Sequence, residues 1–184
     1  MADKLEIANM AIMMLGEEPL SSMEDGTKVA DMADAFFDVC LETALSEHDW
    51  TFARKRTTLS SDTTVPAFGY SARFLLPSDY NHMVREMTDE EYEFREENGY
   101  ILADQETIQL IYIANITNLN VLRPKFVDAL ASLLASYIAY GIKADSNTAE
   151  RFRSLYEMKI QKAKGQDGSG VGIDEALDDW VGDR

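Results

Sequence analysis

The sequence predicts a mainly α-helical protein: a bundle of about four helices with an inserted small antiparallel β-sheet and a flexible C-terminal tail. Three observations lead to this prediction. Four stretches repeat apolar residues at helical spacing. Between the second and third of them, Asn98-Gly99 separates two short alternating segments, which is the strongest hairpin signal in the chain. From Gly165 the composition shifts to glycine and polar residues. The predicted domains are residues 1–164, with the β element at about 70–116, and a tail at 165–184.

The predicted helices have recognisable boundaries. Asp3 caps the first helix, with Glu6 three residues later in a capping-box arrangement, and Gly16 ends it through a left-handed residue. Pro124 suits the first turn of the third helix, which carries so few charges up to Lys143 that it is predicted to be the most buried. The four helices are predicted at residues 3–15, 27–47, 124 to about 144, and 148–164.

The β element is predicted from alternation and turn chemistry. Residues 92–95 and 100–102 flank the hairpin, and residues 108–113 are rich in β-forming side chains. Pro77 cannot donate to a β-ladder, so a strand before it ends there or lies at a sheet edge. Residues 54–59 are predicted to be extended or irregular.

The charge balance narrows the classes of function. The 184-residue chain has 33 acidic and 17 basic residues, a formal net charge of −16. Ordinary nucleic-acid binding is therefore not expected, because phosphate neutralisation supplies most of its affinity. Cys40 is the only cysteine, so no intrachain disulfide can form, and it is expected in the core.

The sequence predicts neither a signal peptide nor a membrane span. The N-terminus lacks the basic and apolar regions of a signal peptide. No apolar run approaches the ~20 residues that span a bilayer, and Leu130–Ile142 comes closest. The expected environment is a reducing cytosol, with no membrane partner.

The stretch of residues 46–59 is the candidate functional site, because it joins a helical pattern to an extended one. Two interpretations remain open. One is a site built from Glu47, His48 and Asp49, in which Glu47 and Asp49 could act as paired carboxylates in glycoside hydrolysis, although neighbouring acids are expected by chance in so acidic a chain. Alternatively, Trp50 and Phe52 close a structural corner.

Two further groups of residues are singled out. Leu76 and Pro77 are assigned to the same structural corner as the tryptophan and phenylalanine. The basic cluster Arg54, Lys55 and Arg56 is a candidate contact to another subunit or to phosphate. No metal-ligand or nucleotide-binding motif occurs in the sequence, so no metal, cofactor or catalytic residue is predicted.

The tail carries an apolar stripe behind a glycine-rich linker. Its apolar residues recur at helical spacing although the segment is acidic, and so short a segment cannot form a core alone. It is predicted either to dock onto a partner or to remain a disordered or weakly docked tail. The residues of the stripe are Ile173, Leu177, Trp180 and Val181.

The order of several motifs resembles a known family. A helix ending at Leu15-Gly16 is followed by W-x-F-A-x-[KR]-R at residues 50–56, by L-P-x-D at residues 76–79, and by a late Tyr-Ile strand at residues 112–113. This ordered set, over residues 5–164, resembles the head-to-tail adaptors of short-tailed bacteriophages, the tail tubular protein A (gatekeeper) family. Asp49 stands where the family often has proline, and Tyr80 stands where it often has cysteine.

The resemblance implies a structural virion protein rather than an enzyme. Such adaptors bind the portal protein as a ring, often a dodecamer, at the head–tail junction, after synthesis in the bacterial cytoplasm. The ring continues the DNA channel used in DNA ejection, without sequence-specific binding, and gives the tail nozzle protein its platform. An isolated subunit of this charge is expected to be monomeric. By analogy, the tail would clasp the portal.

Two other functions remain open at the level of the sequence. One is a peptidoglycan hydrolase of the phage tail, with Glu47 and Asp49 as its carboxylates. The other is an acidic protein-interaction module or DNA mimic unrelated to phages. Clearing of peptidoglycan and binding of a DNA-handling protein, respectively, are the observations that would favour them.

Overall fold

The computed structural model describes residues 3–84, 93–143 and 146–168. The chain divides into two compact units, which are described separately. The described residues up to 44 and from 118 to 168 belong to a helical unit, and the described residues between 45 and 117 form a β unit.

The helical unit is built from four helices close to the predicted positions. They are α1 (Lys4–Met14), α2 (Lys28–Ser46), α3 (Pro124–Lys143) and α4 (Ser146–Gly168), with a short 3-10 turn at Leu119–Val121 ahead of α3. The last two residues of α2 already belong to the β unit.

The predicted boundaries of α1 are confirmed. The Asp3 carboxylate accepts a hydrogen bond from the Glu6 N–H at 2.8 Å, which satisfies one of the free donors at the start of the helix. At the other end, Gly16 has a φ of 75°. Its N–H donates to the Met13 carbonyl and the following N–H donates to the Ile12 carbonyl, which is the Schellman pattern.

The third helix, α3, forms the core of the helical unit, as predicted. It packs against α1 and α4. A Cβ placed on Gly141 would overlap the end of the Met32 side chain of α2, so the glycine permits this close approach. Nine apolar α3 side chains have no exposed surface: Phe126, Ala129, Leu130, Ala131, Leu133, Leu134, Ala135, Ile138 and Ala139.

The third helix is also the longest apolar segment in the described residues that could match a bilayer. Residues Pro124–Ile142 form a 19-residue span that could cross a membrane by length and composition alone. Lys125 and Asp128 lie within this span, so its uncharged part begins only after Asp128. Two thirds of the span, 67%, is buried inside the protein, as in the core helix of a soluble protein.

Cys40 lies in the core, as predicted. Its side chain on α2 is fully buried. Burial raises the pKa of the Cys40 thiol to about 12, so the thiol stays protonated at neutral pH.

In its described residues, the β unit contains two three-stranded antiparallel sheets. One sheet has the order β1-β6-β3 and the other has the order β2-β5-β4. The strands are β1 (Arg54–Ser60), β2 (Ala72–Leu75), β3 (Tyr80–Met83), β4 (Phe94–Glu97), β5 (Tyr100–Ala103) and β6 (Thr107–Ala114).

The predicted hairpin at Asn98-Gly99 is confirmed. It joins β4 to β5, with Glu97 paired to Tyr100 across the turn. Asn98 has a φ of 50° and Gly99 a φ of 77°. A type I′ turn needs positive φ at both central residues, which is why this dipeptide favours it.

The two sheets bury one hydrophobic core between them. Alternate residues of β6 face this core because side chains alternate across a strand. The β6 members are Ile108, Leu110, Tyr112 and Ala114, and the other buried members are Phe74, Leu76, Ile101 and Ala103.

The predicted fold class was wrong. Of the residues that the structure describes, 48% are helical and 20% lie in strands, in four helices and two sheets rather than a mainly helical bundle with one small sheet. The difference lies partly in β1, whose residues are polar except for Leu59 and are all half-buried or exposed. Seven residues of β1 nevertheless pair in register with β6, from Arg54 opposite Ile113 to Ser60 opposite Thr107. β1 and β6 lie far apart in the chain, so their pairing leaves no pattern in the sequence of β1 alone.

The last helix is longer than predicted. α4 continues to Gly168, beyond the predicted end at Lys164, although residues 165–168 read as the start of a flexible linker. Asp167 explains part of this extension, because it is buried and its carboxylate accepts from the Arg123 Nε at 3.3 Å. The tail residues Ile173, Leu177, Trp180 and Val181 lie outside the described residues.

Candidate functional site

The candidate stretch forms a tight turn between α2 and β1. After α2 ends at Ser46, the Trp50 N–H donates to the His48 carbonyl at 2.8 Å, and the Ala53 N–H donates to the Trp50 carbonyl at 3.0 Å. The Trp50 side chain is only 1% exposed. Its ring meets the edge of His48 at 4.9 Å between centroids and lies 5.5 Å from the ring of Phe52. Trp50 therefore anchors the turn by burial.

Leu76 and Pro77 lie at the end of β2 rather than in that turn. Leu76 belongs to the core between the two sheets, and its N–H donates to the Gly99 carbonyl at 3.0 Å. The Pro77 carbonyl accepts from the Tyr80 N–H at 3.0 Å, which turns the chain into β3. The predicted end of a strand before this proline is confirmed, since β2 stops at Leu75.

Asp79 connects three separate parts of the β unit. Its carboxylate is 2.5 Å from the Lys55 Nζ and accepts from the Tyr112 hydroxyl at 3.0 Å. Lys55 on β1 and Tyr112 on β6 are directly opposite each other in the strand register. The Asp79 carbonyl also accepts from the Asn115 N–H at 2.7 Å. We call Lys55, Asp79 and Tyr112 the Asp79 junction.

The charge state of the Asp79 junction follows from these contacts. The hydrogen bond from Lys55, followed by the one from Tyr112, holds the pKa of the Asp79 carboxyl below its usual value despite partial burial. Burial, with Asp79 as a smaller cause, raises the pKa of Tyr112 to about 12. At neutral pH the aspartate is therefore ionised and the tyrosine is a protonated donor.

A second polar network lies beside the turn. The His82 Nε2 is 2.9 Å from the Asp49 carboxylate, and its Nδ1 is 2.9 Å from the Asn81 side-chain oxygen. The Asn81 amide in turn donates to the Asn115 side-chain oxygen at 2.7 Å. Arg54 donates to the Asp49 backbone carbonyl at 3.1 Å. These contacts tie the turn to β1, β3 and the end of β6.

The contacts of Asp49 differ from those that the hydrolase hypothesis requires. The paired-carboxylate interpretation requires Glu47 and Asp49 to face a common substrate. In the structure Glu47 is exposed, whereas Asp49 is half-buried and bonded to an imidazole. The other ring nitrogen of His82 faces an amide oxygen, which is not a nucleophile. This geometry suits structural support of the turn.

The three basic residues have different environments. Successive side chains of a strand point to opposite faces, so Lys55 faces away from Arg54 and Arg56. Arg54 is half-buried against the turn and Lys55 pairs with Asp79, whereas Arg56 is exposed. Of the three, Arg56 is the side chain best placed to reach another molecule.

Sequence reasoning missed the partners in this site. The sequence places Asp79 and Tyr112 in two of the motifs but predicts no contact for either, and it predicts no role for His82. Their connection depends on the pairing of β1 and β3 with β6, which no local pattern encodes. One signal in the sequence could have pointed to this site. The three motifs lie in or next to β1, β3 and β6, which are the strands of one sheet.

No metal site is evident in the described ranges, where no three metal-ligating side chains of histidine, cysteine or acidic type gather. Compared with known proteins, the chain matches no family model and no curated sequence.

Proposed function

We propose that this chain is a head-to-tail adaptor of a short-tailed bacteriophage, which binds the portal as a ring and provides the platform for the tail nozzle. One observation supports the proposal most: three of the four motif pieces that carry the resemblance meet at the Asp79 junction. Lys55 comes from the tryptophan-containing motif, Asp79 from L-P-x-D, and Tyr112 from the late strand.

The convergence matters because each motif alone is weak. Lys55 and Asp79 are 24 residues apart, and Asp79 and Tyr112 are 33 apart. Motif letters matched by chance have no reason to share one carboxylate. A common structural requirement gives such a reason, because the junction clamps β1 to β6 where the chain leaves the tryptophan turn.

The charge of the chain is compatible with a channel for DNA. A net charge of −16 repels phosphates and lets DNA slide without being held. It also opposes self-association of free subunits, so the portal would act as the template on which the ring forms. Arg56 is the candidate contact to an acidic neighbour in that ring.

Electron microscopy of the chain mixed with the portal protein of the same phage tests the proposal. The expected result is additional ring density on one end of the portal, with no comparable ring from the chain alone. Portal particles that remain unchanged at excess adaptor would contradict it. A peptidoglycan zymogram distinguishes the hydrolase alternative: clearing that Glu47→Gln abolishes would replace the adaptor assignment.

The contribution of the tail is tested by deletion of residues 169–184. The deletion must begin after Gly168, because removal of Asp167 would break its buried contact with Arg123 and confound the result. The expected outcome is weaker capture of the adaptor by immobilised portal. Equal capture of the truncated and complete chains would show that the tail is not the portal-docking segment.

A further inference from the structure

An apolar groove lies on the helical unit between α2, α3 and α4. Phe36 of α2, Tyr137 and Tyr140 of α3, and Ala149 and Arg153 of α4 line it, around a cavity of 380 Å³. The Phe36 and Tyr137 rings are 5.3 Å apart, whereas Tyr140 is 68% exposed. An open aromatic groove of this kind on a protein surface commonly marks a binding site.

The described part of the chain ends on the same side of α4 as the groove. Glu150 also lines the groove. Gly168, the last residue of α4, comes 18 residues later. Because a helix has 3.6 residues per turn, this is five whole turns, so the two residues share one face about 27 Å apart.

The 16 residues that follow Gly168 can return along this face. An extended stretch up to Ile173 covers about 17 Å at the usual length per residue. A helix from Ile173 to Trp180 adds about 10 Å. Trp180 would then lie beside Glu150, and Leu177 would lie about one helical turn closer to Gly168, beside Arg153.

The chemistry of the segment matches that of the groove. Leu177 and Trp180 are three residues apart, so they share one face of a helix, and the groove offers aromatic walls to both. The segment is acidic, and its return would bring Asp178 and Asp179 to the positive N-terminal end of α4. α4 also carries Arg151, Arg153, Lys162 and Lys164.

We propose that residues 173–181 fold back antiparallel to α4 and insert Leu177 and Trp180 into the groove of the same chain. The apolar stripe of the tail is thereby covered until a partner competes for it. This inference rests on the helical unit alone and does not require the adaptor assignment.

Fluorine NMR of the full chain labelled with 5-fluorotryptophan tests the inference. The chain has two tryptophans, so Trp180→Phe assigns the two resonances. We expect the Trp180 resonance to differ from that of a synthetic peptide of residues 169–184. Leu177→Asp should move it to the peptide position and leave the Trp50 resonance unchanged, since Leu177 lies beyond α4.

Variants of the groove provide the reciprocal test. Tyr140→Ser should also move the Trp180 resonance to the peptide position. Met13→Ser is the matched control, because Met13 is a similarly exposed apolar side chain on α1, at 54%, and should leave the resonance in place. A wild-type resonance that already coincides with the peptide would overturn the proposal. A resonance that moves to the peptide position on dilution would overturn it too, since the occupant would then come from a second copy.

Discussion

Replacement of Asp79 tests the central contact of the candidate site. Asp79→Ala removes the acceptor of the Tyr112 hydroxyl, and Tyr112 is only 5% exposed, so a buried donor loses its partner. That loss costs about 1–3 kcal/mol. The ion pair with Lys55, which is half exposed, adds about 0.2–1 kcal/mol. We expect the free energy of unfolding to fall by about 1–4 kcal/mol in total.

Asp79→Asn is the matched control, because its side-chain oxygen can still accept from Tyr112 while the charge is gone. We expect a loss of about 0.5–1 kcal/mol, close to that of a partly exposed ion pair. Urea unfolding followed by circular dichroism measures both variants. Asp79→Ala should lose more unfolding free energy than Asp79→Asn. An equal or smaller loss in Asp79→Ala would show that the Tyr112 hydroxyl does not depend on Asp79.

The stabilising effect of Asp79 should depend on pH in a defined direction. Its pKa is lowered in the folded state, so its ionised form stabilises the fold above the ordinary aspartate pKa of about 3.9. That contribution is lost as the pH falls through the folded-state pKa. The difference in unfolding free energy between the wild type and Asp79→Asn should therefore be constant near neutral pH and shrink below about pH 4. A difference that grows on acidification would contradict the direction of the shift.

Three further predictions concern the β unit. Trp50→Ala should lower the free energy of unfolding by about 3–5 kcal/mol, as a buried aromatic truncation does; lost portal assembly with unchanged urea stability would instead show that Trp50 faces a partner. Gly99→Ala should cost about 1–2 kcal/mol, measured by urea unfolding, because a φ of 77° strains any residue with a Cβ, and an unchanged midpoint would contradict this. Tyr112 should titrate near pH 12 by ultraviolet absorbance, and this signal should be absent in Tyr112→Phe. Because the pKa of Tyr112 is raised on folding, its contribution to stability is complete below about pH 10 and is lost as the pH rises towards 12.

Local signals predicted the helices and one hairpin well. The cap at Asp3, the left-handed Gly16 and the Asn98-Gly99 turn each depend on a few neighbouring residues, and all three have the predicted geometry. The burial of α3 also followed from its composition, because a helix with so few charges must be covered on nearly all sides.

Contacts between distant residues were not predictable in the same way. β1 has the polar composition of a loop and becomes a strand because β6 supplies its hydrogen-bond partners. The Asp79 junction depends on that pairing, since Lys55 and Tyr112 meet only when β1 and β6 are in register. The end of α4 was misjudged because buried Asp167 overrides the glycines around it.

The sequence by itself determined where α1 begins and ends, which helix is buried, and which ordered set of motifs suggests a phage adaptor. Those features depend on residue periodicity, capping chemistry and composition, which act over a few neighbouring residues. Only the tertiary structure decided that residues 54–60 form a strand, that there are two sheets, and that the motif pieces share one carboxylate. Strand pairing joins residues far apart in the chain, so its energy has no local trace in the sequence.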